Sequence, residues 1–165
     1  MRTHHRRRAA AEPAALWEAA SRVRLADTRR LGRLVRWRIP GLSSQLTYHD
    51  LLRGDPFTVL AEDDGVLISG LCGRIWTLAR DYPRLDGPDA FAAWDERGTA
   101  RVLLAHWVRP LDDGTAELVS EARVEPTDRI AALRLRALWA VVGPFDRLIA
   151  SEPLELAARA AERDA

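Results

Sequence analysis

Lysine is missing from this 165-residue chain: all 25 basic residues are arginine. A coding bias toward GC-rich codons accounts for that pattern without any function. Cysteine is almost as scarce. The single thiol, Cys72, excludes an internal disulfide and a cysteine-based zinc cluster, and fits a reducing cytoplasm. Long apolar runs are absent too, and nothing approaches the roughly 18 uncharged residues of a bilayer span. Arg6-Arg7-Arg8 followed by alanines has the charged opening of a leader, but Glu12, Pro13 and Glu18 cut the apolar stretch short. A glycine-rich phosphate loop, a Gly-x-Ser-x-Gly elbow and a His-Glu-x-x-His pair are all lacking, which removes the familiar signatures of nucleotide, serine-hydrolase and zinc-peptidase chemistry.

What is present is a chain that can fold. With 47% hydrophobic residues it can bury a real core, so disorder is excluded, and its length suits one domain spanning residues 1–165. The net charge of +1 hides an asymmetry: residues 1–38 hold 11 arginines and 3 acids, the remainder 14 arginines and 21 acids. Such a split suits either a basic arm for an anionic partner or a first third that packs across an acidic remainder. The second reading is preferred, because these arginines fall within amphipathic helices.

Residues 2–10 read as a short polar strand. Pro13 opens a helix that carries Leu16, Trp17, Ala20 and Val23 at helical spacing. Asp27-Thr28 is a cap for a second short helix, with Leu31, Leu34 and Val35 on one face and Arg29, Arg30, Arg33 and Arg36 on the other. Ile39-Pro40-Gly41 stops it. The period then changes to two, giving strands over 45–52, 57–61 and 66–76, with a hairpin turn at Asp63-Asp64-Gly65. Gly70 and Gly73 mark a bend in the third of these. Residues 81–89 read as loop and 90–96 as a short strand, and 101–109 with 115–125 form the clearest hairpin. Pro126-Thr127-Asp128 launches a long helix through Val142, with Ile130, Leu133, Leu138, Val141 and Val142 apolar. Gly143-Pro144 is expected to break it, and a further helix runs from about Asp146 with a kink at Pro153. Segregated strands and helices predict an α+β fold whose long helix covers one sheet face.

The turn Leu111–Thr115 can close in two ways. A three-residue loop with Gly114 left-handed pairs Val108 with Leu118, His106 with Ser120, Leu104 with Ala122 and Val102 with Val124. It also sets Arg109 against Glu117 and Arg101 against Glu125 on the other face. A two-residue turn sets His106 against Glu121 instead, an arrangement resembling an oriented acid–base pair. The first sorts the faces cleanly and is expected to win. It leaves one face apolar except for His106 and Ser120. His106 then reads either as a hydrogen-bonded core residue or as a polar group in a pocket.

The segment Pro13-Ala14-Ala15-Leu16-Trp17-Glu18-Ala19, the strand end Glu121-Ala122-Arg123-Val124 before Asp128, and the later Trp139 resemble the START-like (SRPBCC) superfamily, which includes polyketide cyclases. The resemblance covers nearly the whole chain. It implies a helix-grip fold: a curved antiparallel sheet of six to seven strands wrapped on a long C-terminal helix, two short helices near the N-terminus, and a cavity between sheet and helix. The first strand departs from the pattern in being rich in Arg and His. The superfamily shares no common catalytic set, so no catalytic residue carries over.

The expected function is binding of a small, largely apolar ligand in that cavity, with cyclase- or dehydratase-like activity left open. Ligand contacts are assigned to His106, Ser120, Tyr48, Cys72, Trp76 and Trp139, with no metal and no cofactor. Trp17 and Trp139 read first as core, Trp76 and Trp94 fall near strand ends or loops with a pocket rim as the alternative, and Cys72 reads as a small buried hydrophobe with nothing to activate it. His4-His5 could hold a metal only weakly. Neither nucleic acid nor membrane is an expected partner, a homodimer is compatible with the sequence, and the expected compartment is the cytoplasm. Two rivals stand beside this reading. One is an interaction module using the arginine face of residues 29–38 on an anionic partner. The other is a vestigial fold whose cavity is filled by side chains.

Overall fold

The computed structural model describes residues 1–39, 41–77, 79 and 82–164, with side chains described at all of these except 38, 141–142 and 144–150. The expected roles of Pro40, Asp81, Val141, Val142, Pro144 and Asp146 as side chains therefore lie outside the described residues. The elements run β1 (Arg2–Ala9), α1 (Pro13–Arg22), α2 (Leu31–Arg38), α3 (Tyr48–Arg53), β2 (Thr58–Asp63), β3 (Val66–Gly73), α4 (Pro88–Ala92), β4 (Ala100–Pro110), β5 (Ala116–Pro126) and α5 (Arg129–Asp164). The strands form one antiparallel sheet in the order β1-β5-β4-β3-β2, so the fold is α+β with a long C-terminal helix.

The described residues hold five strands, two fewer than the sequence suggested, because local helix-start signals override the period-2 pattern twice. The expected strand over 45–52 becomes α3: the Thr47 hydroxyl accepts from the Asp50 N–H at 3.0 Å and starts a helix that buries His49, Leu51 and Leu52. The expected strand over 90–96 becomes α4, where Pro88 supplies the helical φ and Asp89 favours the positive helix end. Two further expectations fail. The long helix does not break at Gly143-Pro144 but runs from Arg129 to Asp164. Ala131 and Leu135 near its start, and Leu154, Ala157, Ala158 and Ala161 near its end, are all buried, so both halves are held by packing. Only half of the expected Asp27-Thr28 cap forms at the start of α2: the Thr28 hydroxyl accepts from the Gly32 N–H at 2.9 Å, but the Asp27 carboxylate binds Arg24 instead of the helix start. Glu152 of α5 takes that role, accepting from the N–H groups of Arg29, Arg30 and Leu31 at 2.7, 2.9 and 3.1 Å.

The β4–β5 hairpin has the register that face-sorting selects, with His106 opposite Ser120, Val108 opposite Leu118 and Val102 opposite Val124. Arg109–Glu117 at 2.5 Å and Arg101–Glu125 at 2.7 Å line the other face. Leu111 N–H donates to Thr115 O at 2.9 Å, closing a three-residue loop in which Gly114 sits at φ 77°. A Cβ there would meet nothing within 4 Å, so the cost of Gly114→Ala is purely the left-handed backbone. The expected loss is about 1 kcal/mol, read as a lowered urea midpoint with an unchanged slope.

α1, α3 and α5 cover one face of the sheet. The main core lies there, where Leu16, Ala19 and Ala20 of α1 meet Leu118 of β5 and Leu154, Ala157 and Ala161 of α5. The many alanines let both helices approach closely. The opposite face carries an arginine–glutamate ladder in which Glu121, 4% exposed, is held by Arg2 at 2.6 Å and by Arg123. Burial pushes the Glu121 carboxyl up, but Arg2 and Arg123 together bring it below its usual value. Among the described elements, α4 leans on this side: a Cβ at Gly70 would fall 2.6 Å from the Phe91 ring, so Gly70 serves a close approach. The irregularity in the sheet sits in β2, between Val59 and Ala61, rather than at the glycines of β3.

Candidate functional site

α3 brings to the sheet a side chain that the sequence reading did not single out. Its start is tied to the end of α1 by Tyr48 N–H donating to Val23 O at 2.8 Å and Leu25 N–H donating to Leu46 O at 2.9 Å. That tie places His49 beneath the Trp17 indole, with ring centroids 4.6 Å apart, and against His106 of β4. His49 Nε2 lies 2.8 Å from His106 Nδ1, the two rings crossing at 87°. Both histidines are essentially inaccessible to solvent, at 0% and 2%. Tyr48 presents its ring edge-on to His106 at 5.5 Å; burial pushes its phenol up from its ordinary value, while the hydroxyl of Ser120, the cross-strand neighbour of His106, acts in the opposite direction.

Burial, then the nearby Arg53 charge, pushes His49 down to about 4; burial and the adjacent His49 hold His106 well below its ordinary value. Both rings are therefore neutral at pH 7, and each carries one N–H. Only two arrangements satisfy the 2.8 Å contact. If His49 Nε2 donates, His106 keeps its proton on Nε2 and His49 Nδ1 is a bare acceptor. If His106 Nδ1 donates, the roles at the two outer nitrogens reverse. Neither outer nitrogen, His49 Nδ1 or His106 Nε2, has a hydrogen-bond partner among the described residues, and nor does the buried Ser69 hydroxyl. Ser69 pairs with Leu104 and so faces the same side as His106. Buried polar atoms without partners are costly, and in native proteins they commonly mark a bound molecule or water. The pair can also carry a proton: one accepted at His106 Nε2 lets Nδ1–H pass to His49 Nε2 and a proton leave from His49 Nδ1.

Of the residues expected at the site, His106, Ser120 and Tyr48 come together as one cluster. Cys72 does not join it: it pairs with Arg101 and faces the opposite side of the sheet from His106. Burial pushes its thiol up to about 11, which leaves it unreactive at neutral pH. Trp76 lies in the turn after β3, and its buried Nε1 has no hydrogen-bond partner among the described residues. Trp139 packs over Gly143 of its own helix, where a Cβ would come within 2.9 Å of its Nε1. Trp94 donates from Nε1 to the Thr99 hydroxyl at 3.0 Å. The acid–base pair imagined for the rival register does not form, since Glu121 and His106 lie on opposite faces. No group of three or more metal-ligating side chains occurs among the described residues, His4 and His5 included.

The sequence reading missed His49 and Ser69 and took Trp17 as core alone. The Thr47-x-x-Asp50 spacing is a helix-start pattern that could have placed His49 on a helix. Its pairing with His106, 57 residues away, leaves no trace in the sequence. Trp17 also lines a groove of about 530 Å³ with Pro13, Gly65 and Val108, and Val108 follows His106 by two residues on the same face. No protein-family model matches this chain, and no curated protein matches it. The crystal structure of TTHA0849 from Thermus thermophilus aligns over 100% of this chain and 99% of that one, at 12% identity and a TM-score of 0.39. A similarity of that size assigns the chain to no family.

Proposed function

We propose that the helix-covered face of the sheet binds a small, largely apolar molecule between β4–β5 and α5, in the manner of a helix-grip protein, with the His49–His106 pair as its polar end. The observation that carries this reading is the set of buried atoms without partners on one face: His49 Nδ1, His106 Nε2 and Ser69 Oγ. Beside them the apolar row Val102, Leu104, Ala122 and Val124 stays only half-buried although it lies on central strands. A wall of carbon with a few convergent polar groups is the usual make-up of a small-molecule site. The neutral histidines offer one donor and one acceptor at fixed positions, which suits a ligand bearing a single carbonyl or hydroxyl. A turnover would be a proton transfer through the pair, as in enolisation or dehydration.

The reading is tested by thermal denaturation with a panel of neutral aromatic ketones and fatty alcohols. Binding to the native state alone raises the melting temperature with ln(1 + [L]/Kd). Ser120→Phe should abolish that rise while leaving the circular dichroism of the fold unchanged, whereas a rise that survives this substitution places the ligand elsewhere.

A further inference from the structure

Residues 29–38 contain five arginines and no acid. The α2 helix divides them in a definite way. Thr28, Leu31, Gly32 and Val35 form its inner face, with Thr28 4% exposed and Gly32 so close to the chain that a Cβ would lie 2.0 Å from Leu25 O. Positions 30, 33, 34 and 37 form the outer face, at the i, i+3, i+4, i+7 spacing of a single stripe. There Trp37 is 64% exposed and Leu34 39%, bracketed by exposed Arg30 and Arg33 and flanked by exposed Arg29 and Arg36. Among the described residues none of these four guanidiniums makes an ion pair with a carboxylate, whereas Arg2, Arg24, Arg53, Arg101 and Arg109 all do. Glu152 is spent on the backbone N–H groups at the helix start, which fixes α2 to α5 and leaves its outer face free.

A large aromatic ring and a leucine left in water beside uncompensated positive charge call for a partner that is both apolar and anionic. A second copy of this chain does not fit, because a two-fold contact through α2 would bring like charges together. Nucleic acid accounts for the arginines but not for Leu34 at the centre of the face. An anionic bilayer accounts for all of it: tryptophan settles at the headgroup level, leucine enters the acyl boundary, and arginines meet lipid phosphate. No described helix is long and apolar enough to cross a membrane, and surface contact needs none.

We propose that α2 is a peripheral docking element that lays Leu34 and Trp37 onto a bilayer rich in anionic lipid. This runs against the sequence-based expectation of no membrane partner, and it does not depend on the ligand site proposed above.

The experiment is co-sedimentation of the full chain with phosphatidylcholine vesicles, with and without phosphatidylglycerol, across a salt series. Binding is expected only with phosphatidylglycerol and should weaken as salt rises. Each arginine near the surface is worth about a fivefold change in partition, so Arg33→Gln with Arg36→Gln should lower binding roughly 25-fold and flatten the salt dependence. Trp37→Ser should weaken binding while leaving the salt dependence steep, which separates ring insertion from charge. These side chains are exposed, so melting temperature and circular dichroism should stay at wild-type values in both variants. No binding to phosphatidylglycerol vesicles at low salt would overturn the proposal. So would binding undiminished in both variants, which would place the contact elsewhere, as on the exposed Ile130 and Leu133 of α5. Tight binding of duplex DNA that is lost with the arginines but kept in Trp37→Ser would assign the face to nucleic acid instead.

Discussion

Lowering the pH from 7 to 4 should destabilise the fold by about 3 kcal/mol through His49 alone. The unfolded chain takes up a proton on this ring near the ordinary histidine value of about 6.5, but the folded chain resists until about 4. Between those limits the unfolded state binds more protons, so stability is full above pH 6.5 and declines as pH falls toward 4. His106, held well below its ordinary value by burial and by His49, adds in the same direction. The two rings share one hydrogen bond, so the loss should be read as a property of the pair. Carboxyls held low, such as Asp128, which accepts from the Ala131 N–H, lose their contribution only as pH falls below the ordinary aspartate value of about 3.9, so the two windows barely overlap. Denaturant titrations at half-unit pH steps will show the decline. In a His49→Gln, His106→Gln double variant it should shrink to a small residue between pH 6.5 and 4. A decline of unchanged size there would remove the histidines as its cause.

Gly32→Ala should have the opposite sign from the one helix propensity gives. Alanine inside a helix is normally favoured over glycine by about 1 kcal/mol. Here the added methyl would lie 2.0 Å from Leu25 O and 2.9 Å from Thr28 Oγ1, and the first of these is backbone that cannot swing aside. The Thr28 hydroxyl already bridges the site, accepting from the Gly32 N–H at 2.9 Å while donating to Leu25 O at 2.9 Å. Relief requires α2 to move off the 25–28 segment, which strains the Glu152 contact as well. The expected loss is about 3 kcal/mol, measured by chemical denaturation, with faster amide exchange confined to the α2 region. A neutral or stabilising substitution would mean that α2 does not lie as close to Leu25 as the structure places it.

Several features were legible in the sequence because they depend on neighbours a few residues apart. The β4–β5 register follows from alternation plus a glycine that must be left-handed, and the charge pairs Arg109–Glu117 and Arg101–Glu125 confirm it independently. The hairpin turn at Asp63-Asp64-Gly65, which closes with Asp63 paired to Val66, and the Asp128 start of α5 were legible for the same reason. The errors came where a local helix-start signal outweighed the side-chain period, a hydroxyl cap at Thr47 and a proline in the first turn at Pro88. They came also where tertiary packing held a helix through a glycine and a proline. Half of the candidate site was legible on the same terms: His106 and Ser120 are cross-strand neighbours and could be placed by register. The other half depends on α3 folding back beneath α1, and nothing within a few residues of His49 encodes its contact with His106.

Glu152 has a consequence for the order in which the chain can fold. The start of α2 is completed by a residue 121 to 123 positions later, and among the described strands β1 pairs with β5 alone. A chain emerging from the ribosome therefore presents its arginine-rich strand and helix long before their partners are made. Contacts of such sequence separation form slowly. During that interval the strand edge is kept from pairing with other chains chiefly by the mutual repulsion of Arg2, Arg6, Arg7 and Arg8. β1 remains the outermost strand of the folded sheet, so the same arginines that repel other chains before β5 is made also border the edge left open once it has paired.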